Sequence, residues 1–317
     1  MSAVATLATG SRADARPATV KKRGSYGENR AGWLFSAPFL VLYLLFLIGP
    51  VLIGVLISLF NTTTVKSGLG SWVGLSNYTD VLGNKDFWVS MWHSVLFTLL
   101  TTPLLVLLPM VFAILASRMV HNQWFYRIAF FAPYVVPSSA VCLIFAFMYT
   151  PQTGLVTNAF SWVGLTAPNF FGTTSGAWFA VVLLTLWWTF GFNFILYTAA
   201  IQELSEEVYE AASIDGAGPW QQVRWVTVPQ LRPTMSLVLI LQVLASLKVF
   251  DQIYILLAGG PNYSTRPVIE YIYDTGFTAY RGGYAAAATM IYFVILVLVS
   301  VGWLLVRNRR STTPANA

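Results

Sequence analysis

The chain has 317 residues, of which 56% are hydrophobic and only 9% are charged, and its formal net charge is +6. Soluble domains carry about a quarter charged residues, so this composition excludes a soluble globule and predicts an integral membrane protein. The single cysteine, Cys142, excludes a disulfide within the chain, and the basic residues flank apolar segments instead of forming a surface for nucleic acid.

The N-terminal residues 1–30 are polar and basic and show no apolar periodicity. Such a composition predicts a disordered tail. The apolar run that follows has about 28 residues, whereas the apolar region of a signal peptide has only about 7–15. We therefore expect this run to stay in the mature protein as a membrane anchor.

Six apolar segments reach or exceed the roughly 20 residues that a helix needs to cross a bilayer. They predict an all-α membrane protein with six transmembrane helices in one domain, 31–310, followed by a short tail, 311–317. Prolines are expected to interrupt the first three spans, where neighbouring helices or a cavity would satisfy the freed carbonyl groups. The predicted spans are 33–60, 91–116, 125–149, 177–201, 234–258 and 284–306, and the prolines are Pro38, Pro50, Pro103, Pro109, Pro133 and Pro137.

The distribution of Lys and Arg predicts the orientation, because cytoplasmic loops carry an excess of both. The basic N-terminal tail, the loop with Arg118 and Arg127, the segment with Arg224 and Arg232, and the C-terminal arginines fall on one side of the six predicted spans. We therefore expect both termini to be cytoplasmic.

The segment 203–233, between the fourth and fifth spans, is the one substantial hydrophilic stretch in the second half of the chain. Glu206 and Glu210 are four residues apart and would share one face of a first helix. Gly216 permits a sharp turn that a side chain would obstruct, and Pro219 is suited to the first turn of a second helix. The pattern predicts a helix–turn–helix unit, which we call the knuckle.

The knuckle contains EAASIDGAG, residues 210–218, and continues as PWQQVRWVTVPQLRP. It resembles the EAA loop of importer-type ABC permeases, in which Glu-Ala-Ala is followed after three residues by Gly. In its extended form it is similar to the larger permease type of the carbohydrate importers. The segment LLAGGPNYST, residues 256–265, resembles the Gly-Gly-Pro loop of the same permeases, from which Ala258 departs slightly.

This resemblance implies the transmembrane subunit of an ATP-driven, binding-protein-dependent importer for a sugar or oligosaccharide, in the plasma membrane of a bacterium or archaeon. It implies as partners a second homologous permease, two cytoplasmic ATPase subunits and an extracellular solute-binding protein. The chain has no P-loop sequence and no catalytic constellation, so it is expected to be no enzyme. ATP and Mg would be bound by the partner ATPases, and no cofactor by this chain.

The resemblance also implies that the knuckle docks into a cleft of the ATPase subunit and transmits the movement that follows ATP binding. We expect Glu210 to pair with a basic residue of the ATPase and Gly216 to permit the turn. Ala211, Asp215 and Ala217 should complete the docked surface.

Polar and aromatic residues within the fourth and fifth spans are candidates for the transport path. Aromatic rings stack on sugar faces and amides bind hydroxyls, although Trp is also a common interfacial anchor. An intramembrane charge is a functional candidate, but two opposite charges three residues apart would also neutralise each other locally. The candidates are Trp187, Trp188, Phe192, Asn193, Gln242, Ser246, Lys248, Asp251 and Gln252. By alignment, the first three, with Gln242 and Ser246, resemble sugar-contact positions of the maltose permease.

Three alternatives stay open at this point. The same architecture would serve another solute, such as glycerol phosphate or a glycerophosphodiester. An ion-coupled secondary transporter would need buried carboxylates and an inverted repeat, and only Asp251 is a candidate carboxylate within a span. A membrane enzyme would need a catalytic group, and the sequence offers no candidate for one.

Overall fold

The computed structural model describes residues 26–65, 67–118 and 123–311. Within these ranges the regular structure is helical, and the extended pairing is limited to one isolated bridge between Phe60 and Trp72. The chain divides into two compact units, Met1–Leu52 and Ile53–Ala317. The predicted all-α architecture is confirmed.

The first unit begins with helix α1, Tyr26–Tyr43, followed by a π-helical segment, Leu44–Ile48. Helix α2, Gly49–Ser58, starts in this unit and continues into the second. Helix α1 therefore includes the last residues of the predicted 1–30 tail, and the rest of that tail lies outside the described residues. Together, Gly32–Ser58 are long and apolar enough to form a membrane span.

The second unit contains the remaining helices, and two of them start with a side-chain cap. Asn84 accepts a hydrogen bond from the backbone N–H of Asp86 at 2.8 Å, and Thr173 accepts one from Gly176 at 3.2 Å. Such caps satisfy backbone donors that a helix start leaves unpaired. Both capped helices are long candidate spans. The helices are α3 Ser76–Gly83, α4 Lys85–Ser117, α5 Gln123–Val135, α6 Ser138–Met148, α7 Leu155–Trp162 and α8 Thr174–Gln202.

The chain continues through shorter helices to a long final one. These are α9 Glu206–Ile214, α10 Pro219–Gln222, α11 Val228–Gln230, α12 Arg232–Leu247, α13 Asp251–Leu257, α14 Val268–Tyr273 and α15 Gly282–Ser311. A π-helical segment, Val223–Thr227, joins α10 to α11, and another, Asp274–Thr278, follows α14. The predicted C-terminal tail beyond Ser311 lies outside the described residues.

The number of candidate spans in the described ranges is four, or up to six if each of two bent helix pairs counts as one span. The four are Gly32–Ser58, Lys85–Ser117, Thr174–Gln202 and Gly282–Leu305. The bent pairs are Trp124–Val135 with Ser138–Met148, at 95°, and Pro219–Gln230 with Arg232–Leu247, at 60°. This range includes the predicted six.

Most of the span prolines do not interrupt their helices, contrary to the prediction. Pro103 and Pro109 both lie inside the continuous helix α4. Pro109 has no N–H, so the carbonyl of Leu105 loses its usual partner one turn ahead. The Asn193 side chain on α8 donates a hydrogen bond to that carbonyl at 2.8 Å. A neighbouring helix thus compensates for the proline, and α4 continues through it without a break.

Two predicted spans are broken, one where prolines were expected to interrupt it and one where a continuous helix was expected. The third, 125–149, bends between α5 and α6 because Pro137 lacks an N–H and keeps Val136 out of the helical region. The Val136 carbonyl accepts a hydrogen bond from Trp188 Nε1 at 3.1 Å. The fifth, 234–258, stops with α12 at Leu247 and resumes only with α13. The expected interruption of the third span is confirmed at Pro137, and the prediction of a continuous fifth span was wrong.

Three buried clusters hold the second unit together. The first joins α4, α6, α8 and α13, and it includes Phe97 and the buried Cys142. The second joins α3, α4, α14 and α15 around Phe87 and Tyr271. The third joins α4, α8 and α12 around Phe194. Helix α4 contributes residues to all three clusters and therefore connects them.

Candidate functional site

The knuckle folds as the predicted helix–turn–helix. Its first arm is α9, and the chain then turns at Gly216, whose φ is +79°. This left-handed region favours glycine because a Cβ is disfavoured there. The second arm starts with Pro219 at the first position of α10 and ends with α11 at Gln230. Every turn-forming residue that the sequence indicated occupies the expected place.

Side-chain hydrogen bonds, not an apolar core, join the two arms. The hydroxyl groups of Tyr209 and Thr227 are 2.9 Å apart, and Gln222 Nε2 donates to Ser213 Oγ at 2.9 Å. Helix α9 has no buried residue. The two arms of the knuckle are therefore held together by a few side-chain hydrogen bonds.

The residues expected to dock on a partner lie mainly on the outside of the knuckle. Glu210, Ala211, Asp215 and Gly216 are exposed, and Ala217 is partly buried. The carboxylates of Glu210 and Asp215 form no ion pair with another described side chain. This surface therefore has two uncompensated negative charges beside small residues that allow close approach.

A second feature is a cleft of about 220 Å³ between α4, α8 and the α12–α13 break. Six of the predicted path residues line it together, although they come from three different segments. These six are Trp188, Gln242, Ser246, Lys248, Asp251 and Gln252. The sequence-based candidates thus converge on one space.

The other three predicted path residues lie elsewhere. Trp187 packs against Phe145, with ring centroids 5.3 Å apart, and Phe192 stacks on Tyr134 at 5.1 Å. Asn193 is buried, and its amide nitrogen donates to the Leu105 carbonyl and to Gln242. None of the three lines the cleft. Their contacts are those of helix packing.

The two charged residues of the cleft do not neutralise each other by contact. Lys248 and Asp251 form no ion pair in the described part of the chain. The Asp251 carboxylate instead accepts a hydrogen bond from Ser138 Oγ at 2.6 Å. Both residues are exposed. The cleft therefore presents an ammonium group and a carboxylate as separate polar features.

The cleft also contains residues that the sequence reasoning missed. Thr185 and Thr189 flank Trp188 at helical spacing on one face of α8, and Phe97 and Phe250 add aromatic surface. The spacing of the threonines was a visible signal. By contrast, Phe250 comes to the cleft only because the helix breaks there, and the sequence has no proline or glycine at that break.

The Gly-Gly-Pro turn, residues 258–265, follows α13 as predicted. Ala258 and Gly259 have φ values of +46° and +70°, and both the hydroxyl and the N–H of Thr265 donate back across the turn. The Thr265 hydroxyl donates to the Gly260 carbonyl at 2.8 Å. The turn is thus closed by its own hydrogen bonds.

Beyond the turn, α14 contains a buried carboxylate, and a charged residue lies near each end of the helix. Glu270 on α14 is 1% exposed, and burial raises its pKa to about 7, an effect to which nearby Asp274 adds. The Arg266 guanidinium lies 4.2 Å from the centre of the Tyr263 ring and 3.8 Å from the Asp274 carboxylate. Glu270 is buried because the short α14 packs on α4 and α15.

Comparison with known proteins places these features in context. The family described as "Binding-protein-dependent transport system inner membrane component" matches residues 67–311, which include the knuckle, the cleft and the Gly-Gly-Pro turn.

Curated relatives match the chain over most of its length. The trehalose/maltose transport system permease protein MalF of Thermococcus litoralis is 31% identical over 285 residues, which cover 90% of this chain and 96% of the relative. The sulfoquinovosyl glycerol transport system permease protein SmoG of Agrobacterium fabrum is 29% identical over 278 residues, which cover 88% and 90%. The arabinooligosaccharides transport system permease protein AraP of Bacillus subtilis is 29% identical over 292 residues, which cover 90% and 92%.

A solved structure shares the fold. A chain of the bacterial alginate ABC transporter in complex with an alginate pentasaccharide-bound periplasmic protein superposes with a TM-score of 0.79 at 23% identity. The match covers 92% of this chain and 99% of the solved chain.

Proposed function

The chain belongs to the family of binding-protein-dependent transport system inner membrane components, and from this membership we propose that it is a permease subunit of an ATP-driven importer. In this proposal it works with a second homologous permease, two ATPase subunits and an extracellular solute-binding protein. ATP and Mg belong to the ATPases. Both termini and the knuckle lie on the cytoplasmic side, as the Lys and Arg distribution favours.

The exposed knuckle carries the coupling part of the proposal. A turn whose two surface carboxylates pair with no other described side chain is suited to dock on a basic partner, since complementary charges fix the register of an interface. Glu210 and Asp215 supply the charges, and Ala211 and Ala217 allow close approach. Gly216 sets the turn. Closure of the ATPase dimer would then move the knuckle and switch the access of the transport path.

The cleft supports the transport part of the proposal. Non-helical backbone at membrane depth is tolerated where it is buried in protein or lines a cavity. Residues of the break between α12 and α13 line the cleft beside Trp188 and Gln242. An aromatic ring next to hydroxyl and amide groups is suited to a sugar, and the relatives named above are permeases for saccharides or a glycoside. We therefore propose a sugar or oligosaccharide as the solute.

An anionic solute is the second candidate, and Lys248 favours it. Its ammonium group lines the cleft without an ion pair to Asp251. A sulfonated or uronic sugar, or a glycerol phosphate, would provide the missing partner. A neutral oligosaccharide would instead use the hydroxyl and amide groups alone.

Reconstitution of the complete complex in vesicles tests both parts. The chain is assembled with its co-encoded ATPase, second permease and binding protein, and ATPase activity is measured with a panel of neutral and anionic saccharides. The saccharide whose loaded binding protein stimulates the ATPase activity identifies the solute class. Glu210→Ala should lower the stimulated activity by about tenfold or more, because loss of one partner of an interfacial charge pair is costly.

Glu207→Ala is the matched control, since Glu207 is an exposed carboxylate of the same helix outside the motif. It should stay within about twofold of the native chain. Uptake into vesicles without ATP or an ATPase partner would overturn the proposal in favour of a secondary transporter.

A further inference from the structure

A cavity of about 730 Å³ lies between the knuckle and the ends of α4, α5 and α8. This volume is within the range of about 300–1,000 Å³ that is usual for ligand pockets. Its lining shares no residue with the cleft and includes none of the five residues proposed for coupling. The cavity is therefore separate from both sites described above.

The charged lining of this cavity is positive on balance. Arg118, at the end of α4, and Arg127, on α5, line it together with one carboxylate, Glu206 on α9. Neither arginine forms an ion pair with Glu206 or with another described carboxylate. Two guanidinium groups against one carboxylate leave a positive charge that the described part of the chain does not neutralise by contact.

The two guanidinium groups that line the cavity, those of Arg118 and Arg127, indicate what kind of ligand would suit it. Arg127 is partly exposed, and its Nε–H is closed to solvent and has no acceptor among the described residues. A buried donor of a cationic group that lacks an acceptor is costly, and the planar guanidinium fork matches the oxygen atoms of phosphate and carboxylate groups. The chemistry of the cavity therefore calls for an oxyanion.

The remaining lining contains both apolar and polar residues, and its apolar part comes mainly from the last turns of two candidate spans. Ile114 belongs to the last turns of α4, Phe194 and Ile201 belong to α8, and Leu204 follows directly. Ends of spans lie at the level of the lipid head groups, and basic pockets between transmembrane helices bind anionic head groups. A free ion would leave the apolar wall unused, whereas an amphiphile would contact both parts.

We propose that this cavity binds an anionic phospholipid, with its phosphate group held by Arg127 and Arg118. Arg118 also donates a hydrogen bond to the Pro219 carbonyl at 2.6 Å, which links the end of α4 to the second arm of the knuckle. A bound head group would therefore lie next to the hydrogen bond that connects the end of α4 to the knuckle. A soluble phosphate would offer the same oxygen atoms, so the test must separate the two sources.

Native mass spectrometry of the purified full-length chain separates them. The chain is titrated with phosphatidylglycerol, with phosphatidylcholine of the same acyl chains, and with inorganic phosphate. We expect one phosphatidylglycerol molecule to be retained at about tenfold lower concentration than phosphatidylcholine, because both lipids share the acyl chains and the phosphate but only one carries a net charge.

Two variants locate the site. Arg127→Gln removes one of the two guanidinium groups and should weaken phosphatidylglycerol binding about tenfold. Ala116→Phe leaves every charge in place and fills part of the cavity, since Ala116 lines it, and should weaken binding as well. Arg232→Gln is the control, because Arg232 is an exposed arginine of α12 that does not line the cavity, and it should change the affinity by less than about twofold.

Each result bears on the proposal directly. Selective loss in Arg127→Gln and Ala116→Phe supports it. Phosphatidylglycerol binding that both variants leave unchanged overturns it, and so does equal retention of the two lipids. Retention of inorganic phosphate alone, with the same dependence on the variants, overturns the lipid and assigns the cavity to a soluble phosphate ligand.

Discussion

The knuckle and the Gly-Gly-Pro turn flank the broken segment α12–α13, one before it and one after it, and they use a similar local device. Each contains a glycine with a positive φ, +79° at Gly216 and +70° at Gly259. A Cβ added at Gly216 would meet no atom within 4 Å, whereas one at Gly259 would lie 2.8 Å from Glu270 Oε1. The same backbone conformation is therefore open in the knuckle and enclosed in the turn.

The two regions differ in the same way in the exposure of their carboxylates. Glu210 of the knuckle is exposed, whereas Glu270 beside the turn is almost completely buried. Exposed carboxylates stay available to a partner and contribute little to stability. A buried carboxylate next to a tight glycine makes stability depend on local packing and on pH. The knuckle thus keeps its carboxylate available to a partner, whereas the turn is stabilised by its own packing.

The largest predicted effect comes from one substitution made at both glycines. Gly259→Ala should destabilise the protein by about 3 kcal/mol, because it adds strain at a positive φ and forces the buried Glu270 to move. Gly216→Ala carries only the strain and should cost about 1 kcal/mol. Thermal unfolding in detergent under identical conditions measures both. Equal losses of stability in the two variants would contradict the contrast between an enclosed and an open turn.

Glu270→Gln sharpens the comparison through pH. The pKa of Glu270 in the folded protein is about 7, above its ordinary value of 4.5, because burial penalises the carboxylate. The folded state therefore holds the proton more tightly, and stability is lost as pH rises from about 4.5 to about 7. The loss from this group is on the order of 3 kcal/mol for the shift from 4.5 to about 7.

Unfolding measured between pH 5 and pH 8 checks the sign. In Glu270→Gln the fall in stability with rising pH should become shallower, since the amide stays neutral throughout. Glu210→Gln is the matched control, because its side chain is exposed, and it should leave the slope unchanged. An unaltered slope in Glu270→Gln would mean that the carboxylate is not a major source of pH dependence.

The knuckle could be predicted from sequence in detail, because its structure depends on local features. A positive-φ glycine and a proline at a helix start are encoded by the residues themselves. The α12–α13 break was not predictable in this way. It has no proline or glycine, and the free carbonyl of Leu247 accepts a hydrogen bond from Tyr292, which is remote in sequence.

The candidate site, likewise, could be predicted from sequence only in part. Lys248 and Asp251 were found as charges inside an apolar segment, and both line the cleft. Asn193 was chosen for its amide, yet that amide is committed to the carbonyl that Pro109 leaves free. A side chain's chemistry is visible in sequence, but whether a neighbouring helix already uses it depends on packing. The burial of Glu270 escaped prediction for the same reason.

The smallest predicted effect tests the hydrogen bonds between the two arms of the knuckle. Tyr209→Phe removes the hydroxyl that pairs with Thr227 at 2.9 Å and should cost about 1 kcal/mol, the usual net value of one hydrogen bond. Because α9 has no buried residue, the loss should be local: hydrogen exchange should speed up across residues 206–230 while the global unfolding temperature changes little. Tyr280→Phe is the control, since this exposed tyrosine has no described side-chain hydrogen bond. If exchange rises equally in both variants, the two arms of the knuckle are held by something other than the Tyr209–Thr227 pair. If it rises only in Tyr209→Phe, the knuckle opens independently of the spans, unlike the enclosed turn at Gly259.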